Sequence, residues 1–285
     1  MPELTDKPSN AVLSYRDQQA YRLIEQVVLW EGRITTNTLQ DAFGCSRATA
    51  SPIIQSYLDA CPENLTYCTK SRGYLPTEQF APRYSTGTLE EYTQLRYPGV
   101  SEFPAYPMQM LQRQPDPTIV RPILKAIGNQ ERLDISYASF TSPEDGDRII
   151  SPHTIVNDGA RWHVRAWCEK NQDFRDFVLS RIQEIHGTEG PAEKAASEDE
   201  GWNHLLTVTI EPDMRLTEAQ QKLVALDYGM ELASAGKYQR SYQVRRALLI
   251  YTLQNLRLDR PRERGEAQQI MLTPECQREL ASYLR

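Results

Sequence analysis

At 285 residues the chain is long enough for two domains or three small ones, and its 40% hydrophobic and 25% charged residues describe an ordinary globular protein. No apolar run approaches the ~18 residues of a membrane span, the start MPELTDKPSNAVL lacks the plan of a signal peptide, and five cysteines without a C-x-x-C pair form neither a disulfide framework nor a zinc pattern; a cytoplasmic protein is expected. The net charge of −6 removes any general affinity for nucleic acid, and residues 1–80 hold 7 Lys/Arg against 9 Asp/Glu, a net of −2, so contact with phosphate has to come from local placement.

Tyr15 to Trp30 is a predicted helix, with Tyr21, Ile24, Val27 and Val28 at helical spacing and Glu31-Gly32 closing it. Thr36 or Asn37 caps a short second helix through Phe43. Gly44-Cys45 then makes a turn, and Ser46 opens a third helix with Ile53, Ile54, Tyr57 and Leu58 on its apolar side. A short helix, a Gly turn and another helix make a helix-turn-helix. Pro52 lies six residues after Ser46, where its missing N–H disturbs a helix already under way. Either the helix kinks there, or it starts late with Ser51 as cap and Pro52 in the first turn. The segment LTYCTKSRGYLPT reads as a hairpin with the basic tip Lys70-Ser71-Arg72-Gly73. Three amphipathic helices alone also fit a plain bundle; the basic hairpin favours a winged helix-turn-helix over residues 1–80.

Residues 81–120 are Pro-rich but carry too many Tyr, Phe and Met for a free linker, so an ordered connector is expected, with a short helix from Leu89 to Arg96. Thr118 to Ile127 is a further helix. Over 121–190, ISYASF, RIISPHTIV, RWHVRAWCE and FRDFVLSRI each alternate apolar with polar residues and read as strands with one buried face. In RWHVRAWC, Trp162, Val164, Ala166 and Cys168 share the core side, and Arg161, His163, Arg165 and Trp167 the other. Residues 187–201 are small and acidic, a boundary loop. Over 198–285 the pattern is mixed α/β: strand LLTVTIEP, helix Thr217 to Leu226, a strongly apolar helix Val244 to Leu256, strand AQQIML and a last helix Cys276 to Leu284.

The motifs SYASF, R-I-I-S-P-H and F-V-L-S-R-I resemble those of WYL domains, bacterial ligand-sensing modules with an SH3/Sm-like β-barrel. The name-giving Trp-Tyr-Leu stands here as Trp162-His163-Val164, so two of its three letters differ. With a winged helix ahead of it, the WHVRAWC variant is similar to the repressors that control anti-phage defence operons, the BREX- and CBASS-associated regulators. The resemblance covers nearly the whole chain. It implies an α+β protein in three parts: winged helix-turn-helix, β-barrel sensor and C-terminal dimerisation domain.

Two candidate sites follow. In a helix-turn-helix the N-terminal side chains of the reading helix reach base edges in the major groove. Arg47 suits a bidentate pair with guanine, while Ser46, Thr49, Ser51 and Gln55 can bond bases or phosphate. Lys70, Ser71 and Arg72 would touch phosphate or the minor groove. The bland alternative is that Arg47, Lys70 and Arg72 are solvated surface residues. The second site is the cationic sheet face, where Arg148, His153, His163, Arg165 and Arg181 can converge on a phosphate, with Tyr137, Trp162 and Trp167 offering stacking surfaces. The resemblance places ligand contacts at Ser139, His153, Arg165 and Arg181. Trp162, opposite Arg165 in the alternation, belongs to the core. Against this, Arg148 and Arg175 also fit surface pairs with Asp147, Asp173 or Asp176.

His153, His163, His186 and His204 show no metal spacing, and no phosphate loop, nucleophile elbow or paired carboxylates stand out. Neither a cofactor nor an enzymatic activity is implied. The expected function is a homodimeric regulator, most simply a repressor, that reads an inverted-repeat DNA operator and responds to an anionic nucleotide or nucleic-acid ligand. Two readings stay open beside it: an activator or stress regulator sensing single-stranded nucleic acid, and an accessory module acting on a protein partner.

Overall fold

The computed structural model describes residues 13–95, 114–140, 143, 146–233 and 236–284. The chain divides into two compact units, Met1–Gln109 and Met110–Arg285. No described helix is long and apolar enough to cross a membrane.

In the first unit, α1 (Tyr15–Glu31) is capped by Ser14, which accepts from the Asp17 N–H, and ends where Gly32 turns left-handed at φ +75°. It buries Ala20, Tyr21, Ile24, Val27 and Val28. α2 (Thr36–Phe43) takes Thr35 as its cap, one residue before the expected position, and stops at Gly44. α3 (Arg47–Ala60) starts at Ser46, whose hydroxyl accepts the Thr49 N–H at 3.3 Å, and runs through Pro52. The late start at Ser51 is therefore not realised. Pro52 is exposed, and the bond it cannot make would have gone to Ala48, on the exposed first turns where water can serve instead.

β1 (Leu65–Cys68) and β2 (Gly73–Pro76) form the antiparallel wing. Ile34 adds a one-residue third strand, exchanging two 2.9 Å hydrogen bonds with Tyr74. Residues 81–95, expected to begin the connector, pack onto this unit. The buried Glu25 carboxylate accepts the N–H groups of Arg83, Tyr84 and Ser85, and Tyr84 joins the aromatic contacts of Tyr21 and Tyr57. The predicted short helix is α4 (Leu89–Thr93). The rest of the expected connector, residues 96–113, lies outside the described residues.

The second unit opens with α5 (Pro117–Asn129), capped by Asp116. It packs on a sheet of β3 (Glu131–Tyr137), β4 (Asp147–Asn157), β5 (Trp162–Cys168), β6 (Asp173–Val178) and β7 (Ile182–Pro191), in the order β6-β5-β4-β3-β7. Among the described residues no ladder joins the edge strands β6 and β7, although a 3-10 turn, Leu179–Arg181, leads from one into the other. The sheet is strongly curled: the Tyr137 hydroxyl of β3 accepts the Val178 N–H at the end of β6, across two intervening strands, and the Tyr137 and Phe177 rings lie 5.0 Å apart. Ile135, Ile150, Val164, Ala166 and Cys168 fill the core side.

Beyond the sheet come α6 (Glu200–Asn203), β8 (Leu205–Pro212), α7 (Glu218–Asp227), β9 (Glu231–Leu232), β10 (Tyr238–Arg245), α8 (Leu249–Asn255), α9 (Gly265–Gln268), β11 (Ile270–Leu272) and α10 (Pro274–Leu280). The four strands form an antiparallel sheet in the order β11-β8-β10-β9. The expected helix Val244–Leu256 is only half right, because Val244 and Arg245 end β10, paired with Leu206 and Leu205. The stretch Tyr238–Arg245 does alternate, but pairing with β8 decides its conformation, so the helix waits until Leu249.

Candidate DNA interface and sensor site

On α3, Arg47, Ser51 and Gln55 recur every fourth residue and are all exposed, so they form one outward stripe. Gln55 is tied to Asp59 at 3.1 Å. Ser46 and Thr49 face each other at the helix start, 3.1 Å apart, and the Ser46 hydroxyl is engaged in the cap. At the wing tip Lys70 and Arg72 are exposed and Ser71 is half-buried. Arg72 holds φ +53°, a conformation that costs a non-glycine residue about 1 kcal/mol.

Sequence reasoning missed two neighbours of this surface. The exposed Arg33 lies against the wing root, where a Cβ on Gly73 would stand 3.0 Å from its side chain and 2.9 Å from the Ile34 carbonyl. Tyr67, 55% exposed, meets Tyr74 edge-on at 5.2 Å. The signal for Arg33 was its place directly before Ile34, which becomes legible only once Ile34 is known to pair with the wing.

The seven predicted sensor residues separate into two groups. Tyr137, Ser139, Arg148 and Arg181 gather where β3 ends and β4 begins. The Arg148 guanidinium lies 6.0 Å from the Tyr137 ring centre, Ala138 donates to the Arg181 carbonyl, and Arg181 stacks at 4.9 Å over Phe140, which is 84% exposed. Tyr137 itself is buried against Phe177, so its ring serves the core and not stacking. Phe140 is the exposed ring at this end, and Trp162, expected in the core, is 38% exposed.

His153, His163 and Arg165 form the second group, and the face that carries them is covered. His153 falls at a bulge: Pro152 pairs with Ala166, but Thr154 pairs with Arg165. Pro152 has no N–H for the ladder, and the extra residue swaps the faces of everything beyond it. Arg165 is 8% and His163 2% exposed. Arg165 forks onto Asp199 at 2.7 and 3.1 Å and reaches Asp176 at 3.3 Å. His163 Nε2 lies 2.6 Å from Asp158, and His153 Nε2 lies 3.2 Å from Asp199.

Burial pushes the Asp199 carboxyl up, but the Arg165 fork, the Trp202 N–H and His153 outweigh it and hold the group below the usual carboxylate range. Asp158 behaves likewise, through His163 and the N–H groups of Ala160 and Arg161. For His153 burial wins over the pull of Asp199 and keeps the imidazole below its ordinary value. The neutral ring then donates from Nε2 to Asp199 and accepts at Nδ1 from the Thr154 hydroxyl at 2.8 Å. The bland alternative holds for Arg175, which forms an exposed pair with Asp173 at 3.7 Å. Asp199 sits in the stretch expected to be a mere boundary loop, yet it is 1% exposed. No group of His, Cys, Asp and Glu among the described residues is arranged to hold a metal ion.

Residues 17–96 match the BrxR transcriptional regulator winged helix-turn-helix domain, residues 118–186 the WYL domain, and residues 205–280 the BrxR transcriptional regulator C-terminal dimerization domain. The DNA-binding transcriptional repressor CapW of Pseudomonas aeruginosa is 36% identical over 269 residues, 90% of this chain and 88% of that protein. This chain belongs to the BrxR and CapW family of WYL-domain regulators. The CapW repressors of Escherichia coli (strain KTE188) and Stenotrophomonas maltophilia are 32% and 33% identical, covering 94% and 81% of this chain and 92% and 79% of their own length. A solved structure of Proteasome accessory factor B/C (PafBC) of Arthrobacter aurescens aligns with 100% of this chain and 51% of its own at 12% identity and a TM-score of 0.25, too low to bear on the fold. In BrxR and CapW terms, α1–α4 fall in the winged-helix match and β8–β11 in the dimerization match. Asp199 and Trp202 lie between the WYL and C-terminal matches.

Proposed function

We propose that the chain is a homodimeric DNA-binding repressor, of an anti-phage defence operon of the BREX or CBASS kind, that reads an inverted repeat and is released by an anionic nucleotide or nucleic-acid ligand. The observation that carries the DNA reading is the outward stripe Arg47–Ser51–Gln55 on a helix capped at Ser46, in the same unit as a wing tipped by Lys70 and Arg72. A two-fold dimer presents two such helices about 34 Å apart, which demands half-sites one turn of DNA apart. Support for the dimer comes from the apolar residues that the C-terminal domain leaves open, Leu223 and Leu226 on α7 and Leu232 on β9, 62%, 78% and 64% exposed. Leu226→Glu is expected to give monomers by sedimentation and to lose full-operator affinity. An unchanged dimer places the interface elsewhere.

The curled five-stranded sheet is read as an SH3/Sm-like barrel whose ligand lies at the Arg181–Phe140 end. An arginine stacked on an exposed ring offers a phosphate partner and a base-stacking surface together. This pair also favours a nucleic-acid ligand over a small anion, and so keeps the sensing of single strands in view.

The deciding test is fluorescence anisotropy against the DNA upstream of the chain's own gene, at two salt concentrations, beside a scrambled duplex. Tight, salt-sensitive binding to the upstream DNA alone is expected. Equal and weak binding to both duplexes moves the protein-partner reading to the front.

A further inference from the structure

Arg165 was expected to hold a ligand, but its donors are engaged by the chain itself. Nε and Nη2 grip Asp199 and Nη1 reaches Asp176. Asp199 in turn accepts the Trp202 N–H at 3.0 Å, which caps α6, and takes His153 as a further partner. Trp202 is held from β10, where the Arg245 guanidinium lies 4.5 Å over its ring and donates to its carbonyl. On the other limb Asp176 accepts the Tyr251 hydroxyl of α8 at 3.1 Å. One turn on, Asn255 donates to the Asp158 carbonyl at 2.6 Å, and the Asp158 carboxylate carries His163. α8 also sends Leu249 and Leu253 into the C-terminal core.

These contacts join β5 and β6 to α6 on one limb and to α8 on the other. The Arg165–Asp199 fork at their centre is charged and buried, so it is directional and poorly screened. A ligand anion reaching Arg165 would have to break a fork whose acid partner already accepts from three residues, and would leave that acid buried. We propose that Arg165 is a positioning residue: with Asp199 and Asp176 it pins α6 and α8 to the sensing sheet, so a shift of β5 or β6 reaches the dimerisation domain through it. The role in signalling rests on the regulator reading above. The pinning itself is testable on the protein alone.

Arg165→Met in the full chain keeps the stem and removes the charge. Hydrogen exchange is then followed in peptides covering 199–203 and 249–255, with β3 and β8 as internal controls. Roughly tenfold or faster exchange is expected in the first two, with the controls unchanged. Unchanged exchange there overturns the proposal. Should Arg165→Met fail to fold, Tyr251→Phe decides: it deletes one hydroxyl, keeps the ring, and is expected to speed exchange in 249–255 alone; no change there also overturns it. A second readout separates pinning from plain stability. A short 5′-phosphorylated single-stranded oligonucleotide is expected to bind Tyr251→Phe as it binds wild type, while its effect on operator affinity shrinks several-fold. An undiminished effect counts against the route through Arg165. If the oligonucleotide does not bind wild type, the sensor reading fails, and the exchange result still decides the pinning.

Discussion

Glu25→Gln tests how the reading helix is held. The Glu25 carboxylate is 0% exposed and accepts four donors: the Tyr57 hydroxyl of α3 at 3.1 Å and the Arg83 N–H at 2.9 Å on Oε1, and the Tyr84 and Ser85 N–H groups at 2.8 Å each on Oε2. Glutamine fits the space but has one oxygen. With that oxygen facing Tyr84 and Ser85, its NH₂ meets Tyr57 and Arg83. The Tyr57 hydroxyl can turn and accept, but the Arg83 N–H loses its partner. One orphaned donor costs about 1–3 kcal/mol, and two charge-assisted bonds reduced to neutral ones lose up to about 1 kcal/mol each. The sum is roughly 1–5 kcal/mol, or about 5- to 5000-fold. Native-state hydrogen exchange of α1 and α3 in the full chain reads this directly, as faster exchange in both helices with β3 and β8 unchanged. A change below about 0.5 kcal/mol, the scatter of an ordinary surface substitution, would mean that Glu25 does not anchor the unit.

Arg47→Ala is expected to cost about 1–3 kcal/mol of operator affinity and to relax the preference at one base pair, whereas Lys70→Ala should weaken all duplexes alike and lower the salt slope by about one. The two patterns, measured by anisotropy, refute the assignments if they come out exchanged. Arg72→Gly removes a strained left-handed residue, so urea unfolding should show a gain of up to about 1 kcal/mol while DNA affinity falls; loss of both would place Arg72 in the wing's own structure. His153 has its folded pKa below the unfolded value of about 6.5, so the stability it confers is complete above that pH and is lost as pH falls towards the folded value, by at most about 1.4 kcal/mol per pH unit. Asp199 and Asp158, depressed from about 3.9, add a second loss only at lower pH. Urea midpoints for wild type and His153→Gln between pH 7.5 and 5 check this, and wild-type stability that rises on acidification would show that the pull of Asp199 outweighs burial.

Local chemistry made much of this legible in advance. Ser46 as cap and Gly44 as stop are short-range signals, each standing where its own backbone preference puts it, and the turn from Lys70 to Gly73 is marked by its basic composition although Arg72 is strained there. The alternation Val164–Ala166–Cys168 likewise marked the core side of β5. What alternation reports, however, is only which side chains share a face. It does not say whether the opposite face meets water or more protein. The cationic face of β5 looked open because its cover, Asp199, lies 34 residues away in a stretch whose small acidic composition suggests a solvated loop. The bulge at His153 and the strand ending at Arg245 also depend on partners remote in sequence. Charge can stay buried only where opposite charge and hydrogen bonds meet it. The sequence by itself therefore determined most of the elements and the residue types of the sites, while tertiary pairing decided where β10 gives way to α8, that Arg165 is satisfied from within and that Arg181 is stacked beside the exposed Phe140.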